Sequence, residues 1–238
     1  MDKHLGKNLN EVEAVCAMLS ERSRILQAAR DKNSSLDFYA IRVPKLRIVS
    51  KTGFTFSHLP PNDLLNTWDY VFKKSNHYEP MVLALYEGLA DKFGYTDHVR
   101  NVVFDWSSRI ENWGHCDLLG NLIAMYAKRD WHYVKPTVER WSSSNSIWLR
   151  RLSLISMVDY VGKHSAFLPF EEVLPIIDPH LTSREVYIAN AVGWVLREYL
   201  KPNKEPLVRE YVTTHWNILD GRAKAKFTKS MRRKIENE

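Results

Sequence analysis

Apolar residues recur along this chain at helical spacing. In residues 80–94, Met81, Leu85, Tyr86, Leu89 and Phe93 advance in 4-1-3-4 steps, a stripe down one helix face. In residues 184–201, Val186, Ala189, Val192, Leu196 and Tyr199 do the same, and Thr182 with Glu185 reads as a capping box ahead of them. No alternating run closed by Asn-Gly or Asp-Gly suggests a hairpin. The pattern predicts an all-α chain.

The predicted helices pair. Those starting near Glu79, Trp113, Ile147, Arg184 and Asp220 are 34, 34, 37 and 36 residues apart. Partner helices fall around 62–74, 96–110, 133–143, 169–180 and 205–216. One two-helix unit per repeat at this period fits an α-solenoid of the HEAT or TPR type, with an irregular helical bundle as the alternative. Stacked pairs would give a curved slab whose concave face suits an elongated partner. The expectation is a single domain over 1–238, with a divergent, shortened helical cap at 1–36 and helix-pair repeats from 36 onward.

Composition narrows the class. Nine Gly and ten Pro in 238 residues are few, which favours long helices over many short strands. Hydrophobic residues are 45% and charged residues 26%, ordinary values for a globular chain. No run reaches the roughly 18 apolar residues of a membrane span, and the first residues lack an apolar signal core. Cys16 and Cys116 cannot build a disulfide framework and suit a reducing cytosol, so a cytoplasmic protein is expected. The net charge of +6 permits an anionic partner. Much of it is concentrated in 222–234, where Arg222, Lys224, Lys226, Lys229, Arg232, Arg233 and Lys234 occur without an acid. Such a run is either a solvated C-terminal helix or a set of phosphate contacts.

The sequence carries no phosphate-binding loop, dinucleotide fingerprint, nucleophile elbow or H-E-x-x-H zinc motif. His115, Cys116 and Asp117 are adjacent, whereas metal ligands are spaced to converge from one face. Three segments carry polar and aromatic residues that packing alone does not require: 111–123, 144–156 and 189–200. In the first, Trp113 and Asp117 are four apart, one turn along one helix face. In the second, Arg150 and Arg151 follow Trp148-Leu149, so at least one leaves the apolar stripe. In the third, Gly193-Trp194 interrupts a helix, where Gly costs about 1 kcal/mol against Ala but admits a backbone or ligand at close range.

Together these segments resemble the HEAT-like repeat DNA glycosylases, the AlkD-type DNA alkylation repair family. The parallels are W-x-x-x-D as Trp113 and Asp117, IWLRR at 147–151, and AVGWVLREY at 191–199. The segments 39–51 and 209–230 are also similar, so the resemblance runs from about residue 36 to 230. It implies catalytic roles for Trp113, Asp117 and Trp194, and a phosphate clamp at Arg151 with Arg150 beside it. It further implies excision of cationic N3- and N7-alkylated purines from duplex DNA by a monomer, with no metal or organic cofactor. The damaged base would not be pushed into a pocket, and the protein would be a bacterial-type cytoplasmic one, on the nucleoid when bound to DNA.

The residue types fit that chemistry. A cationic alkylpurine is already an activated leaving group, so positive charge developing on the deoxyribose is what needs stabilising. The Asp117 carboxylate would oppose that charge and orient water, while the Trp113 and Trp194 faces favour it by cation–π attraction. The N-terminus departs from the family pattern: residues 12–36 are several too few for the usual helix pair, with 21–35 a shortened second helix or the tail of a single one. A DNA-binding paralogue without excision and a protein-interaction scaffold therefore stand as alternatives.

Overall fold

The computed structural model describes residues 2–21, 34–159, 166–201 and 206–236. Thirteen α-helices and no strand occur among them, with only isolated bridges at Asp37–His77 and Val158–Ala166. The chain is all-α. None of the described helices is long and apolar enough to cross a membrane. Packing divides the chain into two compact units, Met1–Leu118 and Leu119–Glu238.

The first unit contains α1 (Asp2–Leu19), α2 (Val43–Thr52), α3 (Pro61–Lys74), α4 (Tyr78–Leu89), α5 (Asp97–Asp105) and the first turns of α6 (Trp113–Arg129). Pro61 opens α3, where its missing N–H removes no helical bond, and Lys73 and Lys74 close it at the negative end of the helix dipole. Its buried face is Leu64, Leu65, Trp68, Val71 and Phe72. That face packs on α1 and α4, while α2 packs on α4 from another side. The α4 helix is buried nearly all round, so the stripe expected at Met81, Leu85, Tyr86, Leu89 and Phe93 belongs to a central helix rather than a two-faced one, and the helix ends at Leu89, short of Phe93. Two carboxylates are buried with it. Glu87 is held by the Ser50 hydroxyl and Lys92 Nζ, each at 2.9 Å. Glu79 accepts the backbone N–H groups of Tyr39 at 3.0 Å and Ile41 at 3.2 Å.

The second unit continues with α7 (Trp131–Ser142), α8 (Ile147–Ile155), α9 (Phe170–Ile177), α10 (Val186–Tyr199), α11 (Pro206–His215), α12 (Gly221–Lys224) and α13 (Lys229–Glu236). Here α8 packs on its pair mate α7 and on α10, α9 packs on α7 and α8, and α10 packs on α12. Helix pair stacks on helix pair, as in an α-solenoid. Side-chain caps set several starts: Ser146 accepts from Leu149 N–H, and Asp130 from Tyr133 N–H.

The repeat starts lie at Tyr78, Trp113, Ile147, Val186 and Gly221, within two residues of those expected from spacing. Four details differ. Helix α1 runs Asp2–Leu19 within the expected cap 1–36 and starts ahead of Val12, from which the N-terminal helix pair was counted as too short, while most of 21–35, the expected shortened second helix, lies outside the described residues. Thr182 and Glu185 do not form a capping box, because Glu185 is itself the residue before α10, without a side-chain cap, and its N–H goes to the Ser183 hydroxyl. Gly193-Trp194 does not interrupt α10, which is continuous to Tyr199. The basic run 222–234 is not one helix: a turn at Ala225-Lys226 divides it between α12 and α13.

Candidate active site

Trp113 and Asp117 occupy the first two turns of α6. Asn112 starts that helix, its side-chain oxygen accepting the His115 backbone N–H at 2.9 Å. The Asn112 amide also meets His115 Nδ1 at 3.1 Å, while Nε2 lies 3.0 Å from the Tyr78 carbonyl. One neutral tautomer satisfies both contacts, with Nε2–H donating and Nδ1 accepting. The imidazole stacks on the Tyr78 ring at 4.4 Å and is fully buried. His115 is thus a structural anchor of α6 rather than a metal ligand. Among the described residues no group of three or more His, Cys, Asp or Glu side chains can hold a metal.

Burial, reinforced by the Arg109 charge, lowers the His115 pKa from 6.5 to about 4, against the opposing pull of the Tyr78 carbonyl. The unfolded chain binds the proton more readily, so this stability is complete above 6.5 and is lost as pH falls through about 4. The expected loss is on the order of 3 kcal/mol. Denaturant titrations across this range should show the decline in the wild type and a shallower one in His115→Gln. Equal slopes would remove His115 as its source.

Tyr78 was not singled out by the sequence, yet it organises this end of α6. A Cβ on Gly114 would lie 2.3 Å from its hydroxyl, so glycine is what allows the phenol to reach the helix backbone. Burial, then the charges of Glu79, Tyr86 and Asp117, push its pKa up and keep it protonated. Trp113 is 52% exposed, an unusual position for an indole. Asp117 is half-buried.

Arg151 and Trp194 belong to the second unit. Arg151, only 5% exposed, donates from Nη1 to the Tyr187 carbonyl at 2.7 Å, which fixes its fork against α10. Trp148 packs on the Tyr187 ring at 4.7 Å. Tyr187 and Trp194 are seven residues apart on α10, nearly two turns, and share a face. Arg150 is half-buried, and its Nε has no hydrogen-bond partner among the described residues. Of the arginine pair, Arg151 is the one built into the core.

Gly193 has a backbone neighbour. A Cβ there would fall 2.2 Å from the Ala223 carbonyl oxygen and 2.5 Å from Ala223 Cα, so α12 lies directly against α10 beside Trp194. Arg197 Nη1 donates to the Lys226 carbonyl at 3.4 Å and reinforces the contact. The close approach places Arg222, Lys224 and Lys226 along the helix that carries Trp194. Lys224 lies over the Trp216 ring at 5.4 Å, and Arg222 is tied to Asp220 and the Arg184 carbonyl. On α13, Lys229, Arg232, Arg233 and Lys234 make no ion pair among the described residues. Lys229, Arg232 and Arg233 border a shallow hollow of about 160 Å³ with Glu236. Both cysteines are buried and neither is in a disulfide.

The sequence profile of the DNA alkylation repair enzymes matches residues 15–233. The chain belongs to that family. A search of curated proteins gives no match. Among solved structures, one described as a predicted DNA alkylation repair enzyme from Enterococcus faecalis is similar with a TM-score of 0.66. It shares 19% identity, over 89% of this chain and 93% of that one, and the likeness is one of fold.

Proposed function

We propose that this chain is a DNA glycosylase acting on cationic N3- and N7-alkylated purines in duplex DNA, opening base excision repair as a monomer in the cytoplasm. It uses no metal or organic cofactor and does not move the damaged base into a protein pocket. The observation that carries this reading is the half-exposed Trp113 indole one helical turn from the Asp117 carboxylate, in a member of an alkylation repair family.

The C1′–N bond breaks with its electron pair going to the purine, which neutralises the alkylated ring. Water adds to C1′ and gives up its proton to Asp117 or to solvent. In the first unit, Asp117 opposes the positive charge on the sugar, and Trp113 offers it an aromatic face. In the second, Trp194 offers another such face, while Arg151 and Arg150 grip backbone phosphate. Arg222, Lys224, Lys226, Lys229, Arg232 and Arg233 supply further phosphate contacts, which hold the duplex without reading its sequence. One observation favours the second reading, a DNA-binding paralogue without excision: Arg151 is buried and already committed to Tyr187.

Incubation with methylated duplex DNA, measuring both binding and free base, separates the readings. Release of 7-methylguanine identifies the glycosylase, salt-sensitive binding without release the paralogue, and neither outcome a protein-interaction scaffold. Converting Lys229, Arg233 and Lys234 to Gln is expected to lower the slope of log K against log salt by about one for each phosphate no longer neutralised. An unchanged slope would remove α13 from the interface.

A further inference from the structure

A pocket of about 460 Å³ opens beside Trp113 within the first unit, and the reaction proposed for Asp117 and Trp113 does not use it. Its lining includes Phe38, Ile41, Val43, Tyr78, Glu79 and Trp113. The Phe38 and Tyr78 rings stack at 5.0 Å with 17° between their planes, and His115 backs Tyr78 from the other side. This makes a rigid aromatic wall. Trp113 and Val43, 52% and 45% exposed, leave apolar surface open to water at the same pocket.

The lining holds one carboxylate, Glu79, and one cation, Arg42. Glu79 is 1% exposed, and its hydrogen-bond donors are neutral backbone N–H groups. It makes no ion pair among the described residues. Ala40, between its two donors, adopts a left-handed backbone at φ 60°, a conformation costly for a residue with a Cβ. The loop therefore accepts strain to fix this carboxylate in place. Arg42, the cation in the lining, is bonded to Glu21 at 3.0 Å, a carboxylate that also holds Lys45 at 3.0 Å, so Arg42 is drawn away from Glu79. Burial raises the Glu79 pKa against the pull of its backbone N–H donors, and burial, with the charges of Glu13 and Glu79 behind it, pushes Tyr39 up.

We infer that this pocket binds an unstacked heteroaromatic ring bearing delocalised positive charge, an N-alkylated purine cation, supplied as a free nucleoside or by a single-stranded nucleic acid. The aromatic wall and the Trp113 indole present faces for stacking and cation–π attraction, and the buried Glu79 carboxylate supplies the opposing charge. The volume lies within the range of small-ligand pockets. Singling out alkylpurines among such cations rests on the proposed function; recognition of a flat cation does not. A base in a duplex must be unpaired and unstacked before it can reach such a pocket. A single-stranded base or a nucleoside meets little of that cost.

The test titrates the wild-type protein with 7-methylguanosine at mildly acidic pH, where that nucleoside is a cation, and with guanosine as the uncharged comparison. The cation is expected to bind at least about tenfold more tightly. Phe38→Ala, outside the residues assigned to catalysis, is expected to weaken that binding about tenfold and leave duplex excision unchanged. Glu79→Gln is expected to abolish the preference, so that the two nucleosides bind alike; should it fail to fold, Phe38→Ala still decides. Competition by a single-stranded oligonucleotide carrying one N7-methylguanine identifies single strands as a source, and its failure identifies the nucleoside. Equal or absent binding of both nucleosides to the wild type, or cation binding undiminished in Phe38→Ala, overturns the inference. The titration contains no duplex and breaks no bond. A protein that binds the cation but releases no base would thus count against the glycosylase reading alone.

Discussion

Asp117→Asn is expected to slow release of 7-methylguanine from methylated duplex DNA by about 10²- to 10³-fold, with DNA affinity changed by less than about threefold. Asn has nearly the shape of Asp and keeps its capacity for hydrogen bonds, so what the substitution removes is charge. That charge does little for the bound ground state, where the positive charge resides on the purine. It acts as positive charge moves to the sugar, so the loss falls on the chemical step rather than on binding. Asp117 lies within a capped helix and is only half-buried, so its replacement should leave the fold intact. Circular dichroism and single-turnover kinetics on the same preparation check both halves. Release at the wild-type rate would remove Asp117 from the mechanism.

Gly193→Ala is expected to destabilise the second unit by about 2–4 kcal/mol, lowering Tm by about 5–10 °C. Two effects compete. Alanine favours a helix over glycine by about 1 kcal/mol, which would stabilise α10. Against it, the new methyl would sit 2.2 Å from the Ala223 carbonyl oxygen and 2.5 Å from Ala223 Cα. These are backbone atoms with no side-chain rotation to relieve the overlap, so α12 must move away from α10. The steric term wins. Displacing α12 also strains the Arg197 bond to the Lys226 carbonyl and shifts Arg222, Lys224 and Lys226, so DNA binding should weaken with stability. A Tm at or above the wild-type value would show that the two helices are not held in that contact.

The helix starts could be read from the sequence because each rests on local information: a capping residue, a proline, an apolar period. Ser146 before Ile147 and Asp220 before Gly221 are such residues, and both side chains cap the helices that follow. The same local reasoning misplaced Thr182 and Glu185, whose spacing imitates a capping box although Ser183 takes the relevant N–H. Cations carry no period, so the turn dividing 222–234 left no trace in the charge pattern. Gly193 was legible as a point of close approach, but not that Ala223, thirty residues on, is its neighbour.

Trp113 and Asp117 were accessible as a pair because they are one turn apart on a single helix. The pocket beside them was not. It joins 38–44, 78–79 and 112–114 across the first unit, and its left-handed residue is Ala40, where a glycine would have drawn notice. Nothing in the sequence around Glu79 and Glu87 announces that α4 is the central helix of its unit and that both carboxylates are buried with it.

The most direct measurement is single-turnover release of base from a duplex carrying one N7-methylguanine, with protein in excess and the spontaneous loss from DNA alone followed in parallel. Free 7-methylguanine and an abasic strand are expected to appear together, at least about 10²-fold faster than spontaneous depurination. Saturating binding of the duplex with release no faster than from DNA alone would contradict the glycosylase reading.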